Sequence, residues 1–137
     1  MTGGLEPAGF VDPTDPAAVE QVLRAALAGI GRTALLTQLS TVLPVRPGRP
    51  AGFLKPAQPT VVEVGQESLS LPDRGPGLLR HVVGGILLST DPVAEHRVPG
   101  ALATLLVRYV QEGRGPDDAA ILLTALRDAA AAGGRLD

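Results

Sequence analysis

A proline-rich segment, residues 44–59, limits what this chain can fold into more than any other feature. It reads PVRPGRPAGFLKPAQP and holds five prolines. Because proline fixes φ and lacks an N–H, no regular helix or central strand can run through such a segment. The segment therefore predicts an extended connector, partly in the polyproline II conformation, between a helical half and a sheet half of the chain.

The same segment also suits a second interpretation, as a recognition arm. Its first three prolines have the PxxP spacing of peptides that bind aromatic grooves, and it carries three cations and no acid. The candidate partner-binding residues of this arm are Arg46, Arg49 and Phe53. A connector crossing the surface is the more common use of such a sequence, so the arm is expected to be at most a secondary contact.

Two helices are predicted before the connector. Asp15 can cap the first one, Pro16 fits its first position, and Gly29 or Gly31 can end it. Apolar residues recur at helical spacing through this stretch. The sequence RTALLTQLSTVL predicts a second, shorter helix directly afterwards. Residues 1–14 are rich in glycine and proline and are expected to form a mobile N-terminal segment.

Three strands are predicted after the connector. Residues 60–71 alternate apolar and polar side chains around Gly65–Gln66, which indicates a hairpin with Val62 opposite Leu69. Residues 78–89, LLRHVVGGILLS, are expected to form a longer third strand that ends at a TDP turn. The double glycine would cost a helix about 2 kcal/mol relative to alanine, so a strand is favoured here.

Two more helices are predicted from Val98 to the end of the chain, and the short GRGP link should make them antiparallel neighbours. The last helix is expected to end at Gly133, and its predicted core side consists of Ile121, Leu122, Ala125, Leu126 and Ala129. Together, these elements predict one α+β domain over residues 15–137, with a small antiparallel three-stranded sheet covered by helices in the order α-α-β-β-β-α-α.

Four residues are candidates for a ligand site: Arg80, His81, Asp91 and His96. The first two lie beside the double glycine, and the other two lie in the polar stretch 89–97, between the third strand and the following helix. In an extended strand, however, His81 would lie roughly 30 Å from Asp91. We therefore expect no metal site and assign no catalytic residue, and His81 is interpreted first as a strand residue.

Composition excludes several classes of function. The chain has no cysteine, which excludes thiolate catalysis and cysteine-bound metals. A net charge of −2 and 2% aromatic residues argue against nucleic-acid binding. The N-terminus does not resemble a signal peptide, and the apolar runs are too short to cross a bilayer. These features, with the excess of arginine over lysine, predict a cytoplasmic bacterial protein without a membrane partner.

The predicted function follows from surplus apolar surface. Mean hydropathy is +0.21 and charged residues make up 19% of the chain, so apolar surface should remain after folding. We expect a non-catalytic interaction or assembly protein without a cofactor, such as an adaptor, chaperone or accessory subunit. It should form a homo-oligomer, a dimer first, or bind a protein partner. The alternative is a small-molecule-binding protein or small enzyme with a pocket around His81 and the 89–97 loop.

Overall fold

The structure is a computed structural model that describes residues 11–49, 52–54 and 56–135, with side chains as far as residue 132. The fold has four α-helices and one sheet, and a short 3₁₀ helix, Glu95–Arg97, precedes the third α-helix. The elements in chain order are α1 Pro16–Ile30, α2 Arg32–Leu39, β1 Val45–Arg46, β2 Thr60–Val64, β3 Glu67–Leu71, β4 Gly77–Val83, β5 Ile86–Val93, α3 Val98–Gln111 and α4 Pro116–Arg135.

The sheet has five strands, so the predicted three-stranded sheet is wrong. All neighbouring strands are antiparallel and follow one another in the order β1-β2-β3-β4-β5. The α+β class is confirmed. The two additional strands come from the connector and from the stretch that was expected to be a single third strand.

The double glycine turns the chain back on itself, which is why residues 78–89 do not form one strand. Gly84 has φ +58° and Gly85 has φ +82°. Positive φ at both central residues gives a two-residue hairpin turn whose twist matches that of the flanking strands. Val83 accordingly pairs with Ile86. The predicted turn at Asp91–Pro92 is also wrong, because both residues lie within β5.

The connector contributes the short edge strand β1. Val45 pairs with Val62, and Arg46 pairs with Val61. Farther along, Arg49 forms an isolated bridge with Gln58, so the connector also folds back on itself. Gly48 fits only because it has no side chain, since a Cβ there would overlap the carbonyl oxygen of Gln58. The prolines thus limit regular pairing to two residues at the edge of the sheet.

The β2–β3 hairpin has the predicted register. Val62 lies opposite Leu69, as expected, and Thr60 lies opposite Leu71. Alternation then places Val62, Val64, Leu69 and Leu71 on the face that the helices cover, and all four are buried. This face is the floor of the hydrophobic core.

Helix α1 is the central helix of the covering layer. Asp15 caps it by accepting from the backbone N–H groups of Ala17 and Ala18. It ends at Gly31, which has φ +89°. Helices α3 and α4 both pack on α1 more extensively than on each other. Gly29 lies against α4, since a Cβ there would be in ordinary van der Waals contact with Ala130, 3.5 Å from its Cα.

The core face of α4 is partly mispredicted. Its buried residues are Ala119, Leu122, Leu123 and Leu126. The predicted core residues Ile121, Ala125 and Ala129 are exposed, and the helix continues past Gly133 to Arg135. Apolar residues surround most of this helix, so their spacing does not define a single face.

The N-terminal residues that the structure describes approach α4. Val11 is buried in the core, and its N–H donates to the Thr124 hydroxyl at 3.1 Å. Beside it, the hydroxyl and N–H of Thr14 donate to Asp12 and hold the pKa of that carboxyl below its ordinary value. Mobility was predicted for residues 1–14, and the first ten of these residues lie outside the described residues.

Candidate functional site

The β4–β5 hairpin carries three of the four predicted ligand residues. Arg80 pairs with Thr90, and His81 pairs with Ser89. Because side chains alternate along a strand, Arg80 lies on the open face of the sheet while His81 lies on the helix-covered face. Asp91 shares the face of His81 and is its diagonal neighbour across the two strands. The predicted separation of roughly 30 Å is therefore wrong, since it assumed an unbroken strand.

The four predicted ligand residues do not share one cavity. Arg80 lines a large groove at one end of the sheet. His96 lines a separate cavity of about 520 Å³ beside α1 and α3. His81 and Asp91 line neither of them. Within the described residues, no group of three or more histidine, cysteine or acidic side chains could hold a metal ion. A ligand role for the four residues stays a prediction.

The cavity at His96 is a polar junction whose groups already bind one another. Arg24 donates to the backbone oxygen of His96 at 3.2 Å and to the Glu20 carboxylate at 2.6 Å. Gly100 lies directly beside Glu20, because a Cβ there would be 3.3 Å from its Oε1. These contacts join α1 to the start of α3, so structural support accounts for the polar side chains here.

Strand β5 forms an uncovered edge of the sheet. Seven of its eight residues are exposed. Ile86, Leu87 and Leu88 are 65%, 54% and 60% exposed, which is unusual for large aliphatic side chains in a strand. The register shift between the pairs His81–Ser89 and Val82–Leu87 makes Leu88 the extra residue of a β-bulge. Sequence reasoning missed this edge because it placed residues 78–89 in one third strand instead of two strands joined by a turn.

The two edges of the sheet differ. Edge strand β1 has two residues and lies between Pro44 and Pro47. Short length and proline both hinder the addition of another strand. Edge strand β5 has eight residues, with one proline, Pro92, near its end. The β5 edge is therefore the one that can accept another strand.

The large groove has a volume of about 1110 Å³. It lies where β2 begins, β3 ends and β4 begins, with α2, the connector and the loop 72–76 as its walls. Arg32 holds that loop in place. Its side chain is 7% exposed and donates to the carbonyl oxygens of Pro72 at 2.7 Å and Gly75 at 2.8 Å. Sequence reasoning did not single out Arg32, because arginine is mostly a surface residue.

The predicted partner-binding residues of the connector have different surroundings. Arg49 lines the large groove together with Arg80. Arg46 forms a 2.9 Å ion pair with Glu63 on the open face of the sheet. Phe53 is 91% exposed and does not line the groove. The groove thus brings together Arg49, a predicted partner-binding residue, and Arg80, a predicted ligand residue. The sequence alone did not connect them.

Comparison of the chain with protein-family models, curated proteins and solved structures found no match. Among the helices that the structure describes, none combines the length and the apolar character needed to cross a bilayer. What defines the protein is its architecture, an antiparallel five-stranded meander with one helix-covered face, together with two candidate surfaces: the β5 edge and the large groove. Their function has to be argued from their own chemistry.

Proposed function

We propose that this protein is a non-catalytic interaction or assembly protein that associates with a second copy of itself through β5. The observation that carries the proposal is the uncovered edge strand with three exposed aliphatic side chains, Ile86, Leu87 and Leu88. An edge strand presents unpaired N–H and C=O groups that another strand can satisfy. Exposed apolar side chains beside those groups favour an occupant that excludes water.

A second copy of the chain suits this edge because the strand is compatible with itself. Around a twofold axis at Leu87, that residue would face its own counterpart, and Ile86 would face Leu88 of the other copy. Asp91 is the one charged side chain of β5, and it would extend past the Gly84–Gly85 turn of the other copy. The two Asp91 residues would then be about 27 Å apart along the strands, which avoids repulsion between like charges. Such an isologous contact closes as a dimer.

The exposed side of α4 is the competing surface for self-association. It carries Ile121, which is 57% exposed, together with the exposed Ala125 and Ala129. It offers one large aliphatic side chain where β5 offers three. The backbone N–H and C=O groups within a helix are hydrogen bonded to one another, so α4 does not present the unpaired backbone groups that an edge strand does. The β5 edge is therefore the favoured interface.

Two matched substitutions test the proposal by mass in solution. Leu88→Lys places a charge on the edge strand, and Ile121→Lys places the same charge on α4 at a position of similar exposure. Sedimentation velocity and light scattering should find a dimer for the wild type and for Ile121→Lys, and a monomer for Leu88→Lys at the same concentration. Lysine on an edge strand opposes pairing with another strand. Lysine at the exposed helix position 121 should change the free energy of unfolding by no more than about 0.5 kcal/mol.

The proposal fails if the wild-type chain is a monomer at every concentration measured. It also fails if Ile121→Lys dissociates the dimer while Leu88→Lys leaves it intact. Far-UV circular dichroism of both variants checks that each monomer remains folded.

A further inference from the structure

A buried hydroxyl without a partner marks the floor of the large groove. Ser70 lies between the buried Leu69 and Leu71 on β3, so its side chain is on the opposite, open face of the sheet. It is nevertheless only 7% exposed, and it lines the groove. Among the residues that the structure describes, none hydrogen bonds to its hydroxyl. A buried polar group ordinarily has a partner, so this hydroxyl is available to a ligand.

A cation lies next to that hydroxyl on the same face. Ser70 pairs with Leu78, and Ser68 pairs with Arg80, which makes Arg80 the diagonal neighbour of Ser70. Long side chains span that separation. Arg80 is exposed and has no acidic partner within the described part of the chain. Its guanidinium and the Ser70 hydroxyl can therefore donate to one shared anion.

The charge and polarity of the groove indicate which class of ligand it could bind. Arg49 is a second groove cation without an acidic partner in the described chain, and Asp73 is the one acid among the described lining residues. The positive charge is therefore in excess. Apolar side chains supply much of the remaining surface, including Pro47, Pro59, Val61, Pro76 and Leu78.

We propose that the groove binds a small organic carboxylate with an apolar tail. The carboxylate accepts hydrogen bonds from the Ser70 hydroxyl and the Arg80 guanidinium, and the tail lies against the prolines and Val61. A planar carboxylate fits an arginine in a bidentate manner, and a volume of about 1110 Å³ is large enough for a small molecule. This site is independent of self-association through β5.

Sodium octanoate is the probe that tests the site, with octylammonium chloride and octanol as matched ligands of opposite and zero charge. In ¹⁵N–¹H correlation spectra, octanoate should shift the amides of Ser70, Arg80, Gly48 and Arg49, with a Kd lower than those of the other two probes. Arg80→Gln should raise that Kd by about tenfold or more, because a charge-assisted pair is lost. Ser70→Ala should raise it by a smaller factor.

Arg97→Gln is the control, because it removes the same charge from an exposed arginine that lies outside this groove. It should leave the octanoate Kd unchanged. Equal effects of Arg80→Gln and Arg97→Gln would overturn the proposal, as would binding of octanol as tight as that of octanoate or the absence of shifts at the groove amides. The spectrum of each variant reports directly whether it is folded, so a failure to bind is separable from a failure to fold.

Discussion

Two glycine residues decide how many strands the second half of the chain contains. Gly84 and Gly85 both have positive φ, and their neighbours Val83 and Ile86 pair across the turn. At the sequence level, a double glycine in an aliphatic run fits either a loosened strand or a hairpin turn, and the strand was the prediction. Turn geometry favours the hairpin because glycine adopts positive φ without strain.

Substitution of Gly84 tests this backbone requirement directly. A Cβ at Gly84 would meet no atom within 4 Å, so the effect of Gly84→Ala comes from the left-handed φ of +58° alone. We expect Gly84→Ala to lower the free energy of unfolding by about 1 kcal/mol. Gly84→Asn should be close to wild type, because asparagine suits the first central position of such a turn. Urea denaturation measures both, and an alanine variant as stable as the asparagine variant would contradict the turn geometry.

Arg32 is the buried charge on which one wall of the large groove depends. Its two donors satisfy the carbonyl oxygens of Pro72 and Gly75, while Glu95 lies 4.0 Å away and its side chain is 66% exposed. Because the Glu95 carboxylate is exposed and the separation is long, this ion pair contributes little, and the two carbonyl contacts dominate. The contacts of Arg32 with the loop 72–76 should therefore contribute more to stability than its ion pair with Glu95.

Arg32→Met keeps the length of the side chain but leaves both carbonyl oxygens without their donors. We expect the free energy of unfolding to fall by about 2–6 kcal/mol, since each of the two acceptors left without its donor costs about 1–3 kcal/mol. Glu95→Gln should change it by less than about 0.5 kcal/mol. Chemical denaturation of the two variants separates these contributions. A Glu95→Gln effect as large as that of Arg32→Met would show that the ion pair is the important contact.

At the scale of elements, the sequence predicted those structures whose signals are local. The β2–β3 hairpin followed from alternation around Gly65–Gln66, and α1 followed from Asp15, Pro16 and Gly31. Strand β1 could not be predicted in this way, because its partner Val62 lies seventeen positions from Val45 and the intervening prolines carry no pairing signal. The face of α4 was missed because its alanines and aliphatic residues surround much of the helix.

For the candidate sites too, only features with a local sequence signal could be predicted. Arg80 was identified from its place beside the double glycine, and Arg49 from the cations of the connector. Only the folded chain places both of them along one groove. Ser70 carries no signal in the sequence, since the alternation of β3 predicts an exposed serine on the open face. Ser70 is buried because segments distant in sequence lie around it on that face. Local sequence patterns do not encode contacts of this kind.

At the scale of the whole molecule, the sheet is asymmetric. Helices cover one face, and prolines flank the two-residue strand at the β1 edge, whereas β5 is almost wholly exposed along its length. Soluble proteins ordinarily protect a long apolar edge with charge, proline or a covering element. In the described chain, β5 has one acid, a single proline near its end and a bulge at Leu88. Even with these features, Ile86, Leu87 and Leu88 remain exposed along this edge.

Hydrogen exchange at two protein concentrations tests whether a second copy completes the sheet there. In the monomer, the β5 amides that point away from β4 have no partner strand and should exchange rapidly. Pairing of two copies would bond those amides, so their protection within residues 86–89 should rise with concentration. The central strand β3 is flanked on both sides within one chain, so its amides serve as the internal control and should not change. A dimer that forms while protection of 86–89 stays constant would place the interface on another surface, with the exposed side of α4 as the next surface to test.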